Sequence, residues 1–212
     1  MKTKFKIPAG LVSLDGTLTV PDLASSVVLF AHGSGSSRHS PRNQFVARVF
    51  NQAGLATLLF DLLTSEEEAE DIGTARYRFN IDLLAERLVY ATESILEQKE
   101  TSRLSIGYFG SSTGGGAALV AAAKRPQDVS AVVSRGGRPD LAGDLLCRVL
   151  APTLLIVGGR DEIVIELNQQ AQRKMRCEVK LEIIQGATHL FEETGALDRV
   201  AQLASDWFLQ HA

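Results

Sequence analysis

Ser112 is the residue whose setting most favours chemistry, because it stands at the centre of the pattern Gly-x-Ser-x-Gly. An apolar run precedes it at residues 106–109, and a run of small residues follows it at 117–123. This order predicts a nucleophile elbow, a sharp strand-to-helix turn that presents a serine hydroxyl at the top of a sheet. Such a turn strains the backbone of the serine and needs small neighbours, which Gly110 and Gly114 provide.

The same segment also fits a purely structural strand–turn–helix, so the motif alone leaves both interpretations open. Phosphate-binding motifs fit less well. A P-loop ends in Gly-Lys-Ser/Thr, and Thr113-Gly114-Gly115 contains no lysine. A dinucleotide fingerprint needs three spaced glycines, and the segment 33–38 lacks the third.

Asp161 is the candidate for the acid that would support Ser112. A serine hydroxyl needs a base to take its proton, and that base needs an orienting carboxylate. Asp161 follows a predicted strand, at the edge of a parallel sheet where functional residues gather. It also suits the N-cap of the helix that follows, so a capping role is the structural alternative. Glu162 and Asp140 are the other candidate acids.

His189 is the candidate base. It follows the last predicted strand, so the chain order is Ser, Asp, His, the order expected of a triad built on a nucleophile elbow. The chain has four histidines. His211 lies in the tail, whereas His32 and His39 precede the serine and are in the wrong order for the base.

Backbone N–H groups near Ser112 are candidates for an oxyanion hole. The N–H of Thr113 follows the serine, and the helix N-terminus there has free donors. The second donor is expected from the loop after the strand at 27–31, with Ser34 the favoured residue; the alternative is that this loop is only a flexible connection. His32 is expected to hold this loop by hydrogen bonds, or else to contact substrate.

Four arginines lie on predicted loops near Ser112: Arg38, Arg42, Arg135 and Arg138. Surface charge is the default interpretation of each. The alternative hypothesis is that Arg135 or Arg38 recognises an anionic group on the substrate. The acidic run at 66–71 is interpreted as a solvated loop or helix start without a role.

Alternating elements would position these residues. Buried apolar runs and amphipathic runs alternate, which predicts a mostly parallel sheet flanked by helices. The predicted strands are 5–7, 11–14, 17–20, 27–31, 56–60, 104–109, 129–133, 153–157 and 179–184, with a hairpin turn at Asp15-Gly16. The predicted helices are 41–53, 79–98, 113–124, 163–175 and 196–210, with 64–74 as a polar loop.

Length and composition limit the number of domains, the kinds of partner and the cellular location that the sequence predicts. The 212 residues carry a net charge of −3, fit one domain at 1–212, and predict no affinity for nucleic acid or membrane. The lysine-bearing N-terminus lacks an apolar core for a secretory signal, and no apolar run is long enough to span a bilayer. Cys147 and Cys177 are expected as free thiols in a cytoplasmic protein. Monomer and homodimer are equally compatible with the sequence. The connection after residue 133 leaves no room for a large lid domain.

With these residues in place, the chain resembles the α/β-hydrolase superfamily over nearly its whole length, and most closely its dienelactone-hydrolase-like branch. The motifs that carry the resemblance are His32-Gly33-Ser34-Gly35, Gly110-Ser111-Ser112-Thr113-Gly114, Gly158-Gly159-Arg160-Asp161 and Gly186-Ala187-Thr188-His189. The resemblance implies a triad of Ser112, Asp161 and His189, and a sheet of about eight strands of which only the second is antiparallel.

Two features separate this chain from its closest resemblances. Dienelactone hydrolases carry cysteine at the nucleophile position, so Ser112 favours ordinary ester chemistry over dienelactone. The chain also resembles domains fused to phosphoribosyltransferases, but it has no phosphoribosyl-pyrophosphate loop and that activity is not expected of it.

The sequence therefore predicts hydrolysis of a small-molecule carboxylic ester or lactone through an acyl-enzyme, with no cofactor or metal required. Thioester hydrolysis or acyl transfer on the same triad is one alternative. A catalytically silent binding module with the same fold is the other.

Overall fold

One eight-stranded sheet organises the chain. The computed structural model describes all 212 residues. The strands are β1 Lys2–Ala9, β2 Val12–Thr19, β3 Ser26–Ala31, β4 Ala56–Phe60, β5 Ser105–Ser111, β6 Val129–Arg135, β7 Thr153–Gly158 and β8 Val179–Ile184. They lie in the order β1-β2-β4-β3-β5-β6-β7-β8, and only β2 runs against its neighbours. The predicted mostly parallel sheet with one antiparallel strand is confirmed.

Helices cover both faces of this sheet. The helices are α1 Pro41–Gln52, α2 Ser65–Thr74, α3 Ile81–Glu97, α4 Thr113–Lys124, α5 Glu162–Lys174 and α6 Ala196–Gln210, with a 3₁₀ segment at Pro139–Arg148. Helices α1 and α6 pack together on one face, and α3, α4, the 3₁₀ segment and α5 pack on the other. The central strands β3, β5 and β7 are therefore buried almost throughout, and their sequences are nearly continuous apolar runs.

The predicted hairpin turn at Asp15-Gly16 is wrong. Both residues lie inside β2, and the turn is at Gly10-Leu11, with Gly10 at φ +66°. Gly16 is required for a different reason. It lies opposite Phe60 on β4, and a Cβ at this position would lie 3.1 Å from the Phe60 Cβ. The glycine permits close strand approach, so it does not mark a turn here.

The segment predicted as a loop at 64–74 is helix α2. Thr64 accepts a hydrogen bond from the Glu67 N–H, and the Glu67 side chain accepts one from the Thr64 N–H. This capping box satisfies two helix-terminal donors, and acidic residues in the first turn complement the helix dipole. The 3₁₀ segment at 139–148 was not predicted; it begins at Pro139, after the loop that follows β6.

The helices of this chain differ in length and polarity from a segment that crosses a bilayer. None of them combines the length with the continuous apolar surface that crossing a membrane requires.

Candidate active site

Ser112 occupies a strained turn between β5 and α4. Its backbone has φ +52° and ψ −121°, a region that residues with a side chain rarely adopt. The turn is sharp because its flanking glycines lie against backbone. A Cβ at Gly110 would lie 2.5 Å from the Gly114 carbonyl oxygen, and one at Gly114 would overlap the carbonyl oxygen of Ala31. The sequence-predicted elbow is therefore present in the structure.

The loop after β3 packs directly against Ser112. A Cβ at Gly33 would lie 3.1 Å from the Ser112 Cβ, so this position needs glycine. The Ser34 N–H donates to Thr113 Oγ1 at 3.1 Å, and the Ser34 hydroxyl lies 3.1 Å from the same oxygen. The role of Ser34 as second oxyanion donor therefore stays a prediction. The donor is beside Ser112 but is occupied by the Thr113 side chain.

His32 holds this loop in position. Its Nε2 accepts a hydrogen bond from the Leu62 N–H at 3.0 Å, and its Nδ1 lies 3.0 Å from the Gly33 carbonyl oxygen, to which it donates. Burial lowers the pKa of His32, which favours this neutral tautomer. Both ring nitrogens are thus engaged by the protein, as the structural interpretation of His32 expects, and neither is available to a substrate.

Asp161 and His189 meet across the ends of β7 and β8. His189 Nδ1 lies 2.6 Å from Asp161 Oδ2, a short contact that orients the ring and leaves Nε2 as an acceptor. Asp161 does occupy the N-cap position of α5, but its side chain makes no capping hydrogen bond. The carboxylate is therefore directed at the histidine. Asp140 pairs with Arg138 instead, and Glu162 is exposed.

Ser112 and His189 line the same cavity, which has a volume of about 200 Å³. Both side chains are partly accessible, so a small molecule can reach them from solvent. No hydrogen bond joins the Ser112 hydroxyl to His189. Such catalytic hydrogen bonds are often long without substrate and shorten when it binds.

The arginines of the sequence hypothesis differ sharply in their surroundings. Arg38 forms an ion pair with Asp61, its N–H also binds that carboxylate, and it lines a different cavity from Ser112. The structure thus argues against Arg38 as the substrate-binding arginine. Arg135 lines the Ser112 cavity together with Arg42.

Sequence reasoning missed the hydroxyls of this cavity, which come from Ser36, Ser40 and Ser111. Their signal is weak, because serine is common in loops and at helix caps. Only Ser111 could have been suspected, since it is the residue directly before Ser112 on a strand whose end was already assigned to the site.

Comparison with known proteins places this geometry in a family. A family model described as "Alpha/beta hydrolase domain" matches residues 24–206. The chain belongs to this alpha/beta hydrolase family. Within it, the domain has a dienelactone-hydrolase-like structure. A dienelactone hydrolase from Anabaena variabilis is 58% identical and superposes with a TM-score of 0.98, covering 100% of this chain and 98% of that one.

Two further relatives limit what similarity alone says about the activity of this chain. A Mycobacterium tuberculosis protein named as a phosphoribosyl transferase is 58% identical over 206 residues, which is 97% of this chain. The hydrolase domain spans only 46% of that relative. Est1E from Butyrivibrio proteoclasticus with ferulic acid bound is 18% identical, with a TM-score of 0.83 and 98% of both chains covered, which shows a shared fold.

Proposed function

We propose that this hydrolase cleaves a carboxylic ester or lactone of a small molecule, with Ser112 as nucleophile, His189 as base and Asp161 as the orienting acid. The observation that carries the proposal is the 2.6 Å contact between His189 and Asp161 at the rim of the cavity that holds Ser112 in its strained turn. A capping aspartate and a surface histidine have no reason to meet at this one point.

In the first chemical step, the Ser112 hydroxyl oxygen bonds to the substrate carbonyl carbon while His189 Nε2 takes its proton. Asp161 stabilises the imidazolium that forms. The carbon–oxygen bond to the leaving alcohol then breaks, and His189 returns the proton to that oxygen. In a lactone, this alcohol stays attached to the acyl group. A water molecule, deprotonated by His189, finally releases the acid and restores Ser112.

The negative oxygen of the intermediate needs two donors. The Thr113 N–H is the first, because it begins α4 and has no acceptor inside the helix. For the second we propose the Ser34 N–H, released when the Thr113 side chain rotates away from it. Loss of one such donor typically costs about 10²–10³-fold in kcat.

The substrate class is supported by both chemistry and likeness. An uncharged serine hydroxyl with a histidine base is suited to acyl transfer, and the 58% identical Anabaena variabilis relative is described as a dienelactone hydrolase. The serine in place of the cysteine of dienelactone hydrolases is the reason we propose esters and lactones more broadly. The phosphoribosyl transferase name belongs to relatives more than twice as long, and we do not extend it to this chain.

Labelling with a fluorophosphonate probe, followed by peptide mass spectrometry, tests the proposal. We expect stoichiometric modification of Ser112 that is lost in Ser112→Ala and strongly slowed in His189→Ala. Matched controls are Ser102→Ala and His39→Ala, whose side chains are exposed and do not line the Ser112 cavity. Both controls should label like the wild type.

Hydrolysis of an ester and lactone panel completes the test. Turnover by the wild type and its absence in a folded Ser112→Ala protein support the proposal. Transesterification to added alcohols in preference to hydrolysis would instead assign acyl transfer to the same triad. A folded, monodisperse wild type that neither labels nor turns over any ester would refute the proposal and leave a binding module.

A further inference from the structure

The cavity at Ser112 has the lining of an anion site. Besides Ser112 and His189, its polar side chains are the guanidinium groups of Arg42 and Arg135 and several serine hydroxyls. No carboxylate lines it, and Leu190 is its single apolar residue. Positive charge and hydrogen-bond donors without a compensating acid favour a negatively charged ligand.

Arg135 is buried without a protein partner. Only 7% of the residue is exposed, yet its side chain makes no hydrogen bond and no ion pair. Its Nε and Nη1 atoms are both sealed from solvent without an acceptor. The one favourable contact is with the Phe191 ring, whose centroid lies 5.8 Å from the guanidinium carbon. A buried, unpaired charge is costly to the fold, so its presence needs an explanation.

The positive charge of Arg42 adds to the cost of burying Arg135 without a partner. Burial lowers the pKa of Arg135 to about 10, and the neighbouring positive charge of Arg42 acts in the same direction. Arg42 is itself only partly balanced, by an exposed ion pair with Glu192 at 3.1 Å. At neutral pH, both guanidinium groups therefore remain charged beside the cavity.

Ser111 adds a second unpartnered group at the same place. Its hydroxyl is buried and makes no hydrogen bond. Ser111 on β5 and Arg135 on β6 are register partners in the parallel pair, so their side chains lie on the same face of two strands that are about 5 Å apart. The ends of these adjacent strands therefore hold three unpaired hydrogen-bond donors, which are Ser111 Oγ, Arg135 Nε and Arg135 Nη1.

We propose that Arg135, with Ser111 and Arg42, binds an anionic substituent, a carboxylate or a phosphate, on the substrate of Ser112. The catalytic part of this inference rests on the proposed function, but the anion site itself does not. Arg38 and Arg138 are excluded from the role because each pairs with an aspartate and neither lines the Ser112 cavity.

The sheet order indicates which end of the substrate carries the charge. The loop that would hold the oxyanion follows β3, on one side of β5, whereas Arg135 ends β6 on the other side. Arg135 and His189 line the same cavity, and a Cβ at Gly136, the residue after Arg135, would lie 3.5 Å from Cε1 of His189, the proposed donor of the proton to the leaving alcohol. The anionic group is therefore expected on the leaving-group side of the ester.

A matched ester series tests the proposal. One acyl group would be joined to three alcohols of similar size that carry a neutral group, a carboxylate or a phosphate. We expect the wild type to favour one or both anionic esters, and Arg135→Met to lower the anionic-to-neutral ratio of kcat/KM by about 10–100-fold, mostly through KM. The better of the two anionic esters identifies the anion class.

Arg138→Gln is the matched control, because it removes an arginine from the next segment that is already paired with Asp140. It should leave all three esters unchanged. A ratio that is the same in Arg135→Met and in the wild type would overturn the proposal, as would a wild type without preference for either anionic ester.

A binding measurement keeps failure of the anion site distinct from failure of the proposed chemistry. Inorganic phosphate and succinate would be titrated into folded Ser112→Ala by calorimetry, with Ser112→Ala/Arg135→Met as the comparison. Binding that is weakened at least 10-fold by the second substitution supports the site even if no ester is ever hydrolysed. Equal binding to both proteins would refute the site even if Ser112 proves to be the nucleophile.

Discussion

Arg135→Met should stabilise the protein at neutral pH. The substitution keeps an unbranched side chain of similar length against Phe191 and removes a buried charge that has no partner. Most substitutions of a buried residue destabilise a fold, so the expected sign is unusual. Replacing buried charged groups with apolar side chains of similar volume has stabilised other proteins by about 1–4 kcal/mol.

The magnitude follows from the effect of burial on the guanidinium. Burial lowers the pKa of Arg135 from the ordinary value of a solvated arginine to about 10 in the fold. At about 1.36 kcal/mol for each tenfold change in proton affinity, the charged form costs the folded state roughly 3 kcal/mol. Imperfect packing of methionine will reduce the gain, so we expect roughly 1–3 kcal/mol.

The sign of the pH dependence can also be stated. Because the folded pKa is lowered to about 10, the unfolded chain binds more protons than the folded chain above about pH 10, and the penalty fades as the pH rises towards the pKa of the unfolded chain. Below pH 10 the penalty is present in full. The stability difference between Arg135→Met and wild type should therefore be constant from pH 6 to pH 9.

Urea denaturation at pH 7, followed by circular dichroism, measures this difference, and thermal melting should show a midpoint higher by about 3–9 °C. Arg138→Met is the control, since an exposed ion pair contributes about 0–1 kcal/mol. If Arg135→Met lowers the free energy of unfolding by 1 kcal/mol or more while Arg138→Met does not, the guanidinium has a stabilising partner and the reasoning is refuted.

Two further predictions concern the nucleophile turn and its supporting acid. Asp161→Asn should lower kcat by about 10⁴-fold without unfolding the protein, because an amide favours the wrong tautomer of His189. The control Asp140→Asn should have little effect on kcat. Ester hydrolysis measures kcat and circular dichroism checks folding, and equal losses of kcat in the two variants would contradict the assignment. Gly114→Ala should cost about 3 kcal/mol of stability or prevent folding, because its Cβ would overlap strand backbone. Gly73→Ala, which meets open space in α2, should gain about 0.5–1 kcal/mol in the same urea assay; a mild effect at Gly114 would show that the elbow can relax.

Several features could be predicted from the sequence because they depend on short segments. Continuous apolar runs marked the buried strands, and glycines around Ser112 marked the elbow, since both are local consequences of burial and backbone sterics. The order of Ser112, Asp161 and His189 placed each residue after a strand. Parallel strands end at one edge of a sheet, so the meeting of Asp161 and His189 followed from topology.

Two features were predicted wrongly, one because a distant strand decides it and the other because a local capping pattern was overlooked. Asp15-Gly16 has the composition of a turn, but Gly16 serves the approach of Phe60 from a strand 44 residues later. The segment 64–74 has the polarity of a loop, but the reciprocal hydrogen bonds of Thr64 and Glu67 begin a helix there. In the first case the deciding partner lies on another strand, and in the second it lies three residues along the same helix.

The sequence by itself determined the fold class, the strained serine and the candidates for acid and base, because hydrophobic runs and glycine-rich turns report directly on backbone conformation and strand order. Only the tertiary structure decided which arginine is free. In the sequence, Arg38 and Arg135 both lie on predicted loops near Ser112 and cannot be told apart. In the structure, Arg38 pairs with Asp61, whereas Arg135 has no acidic partner. Charge pairing depends on distances of a few ångströms between segments far apart in the chain, and those distances exist only after the sheet has formed.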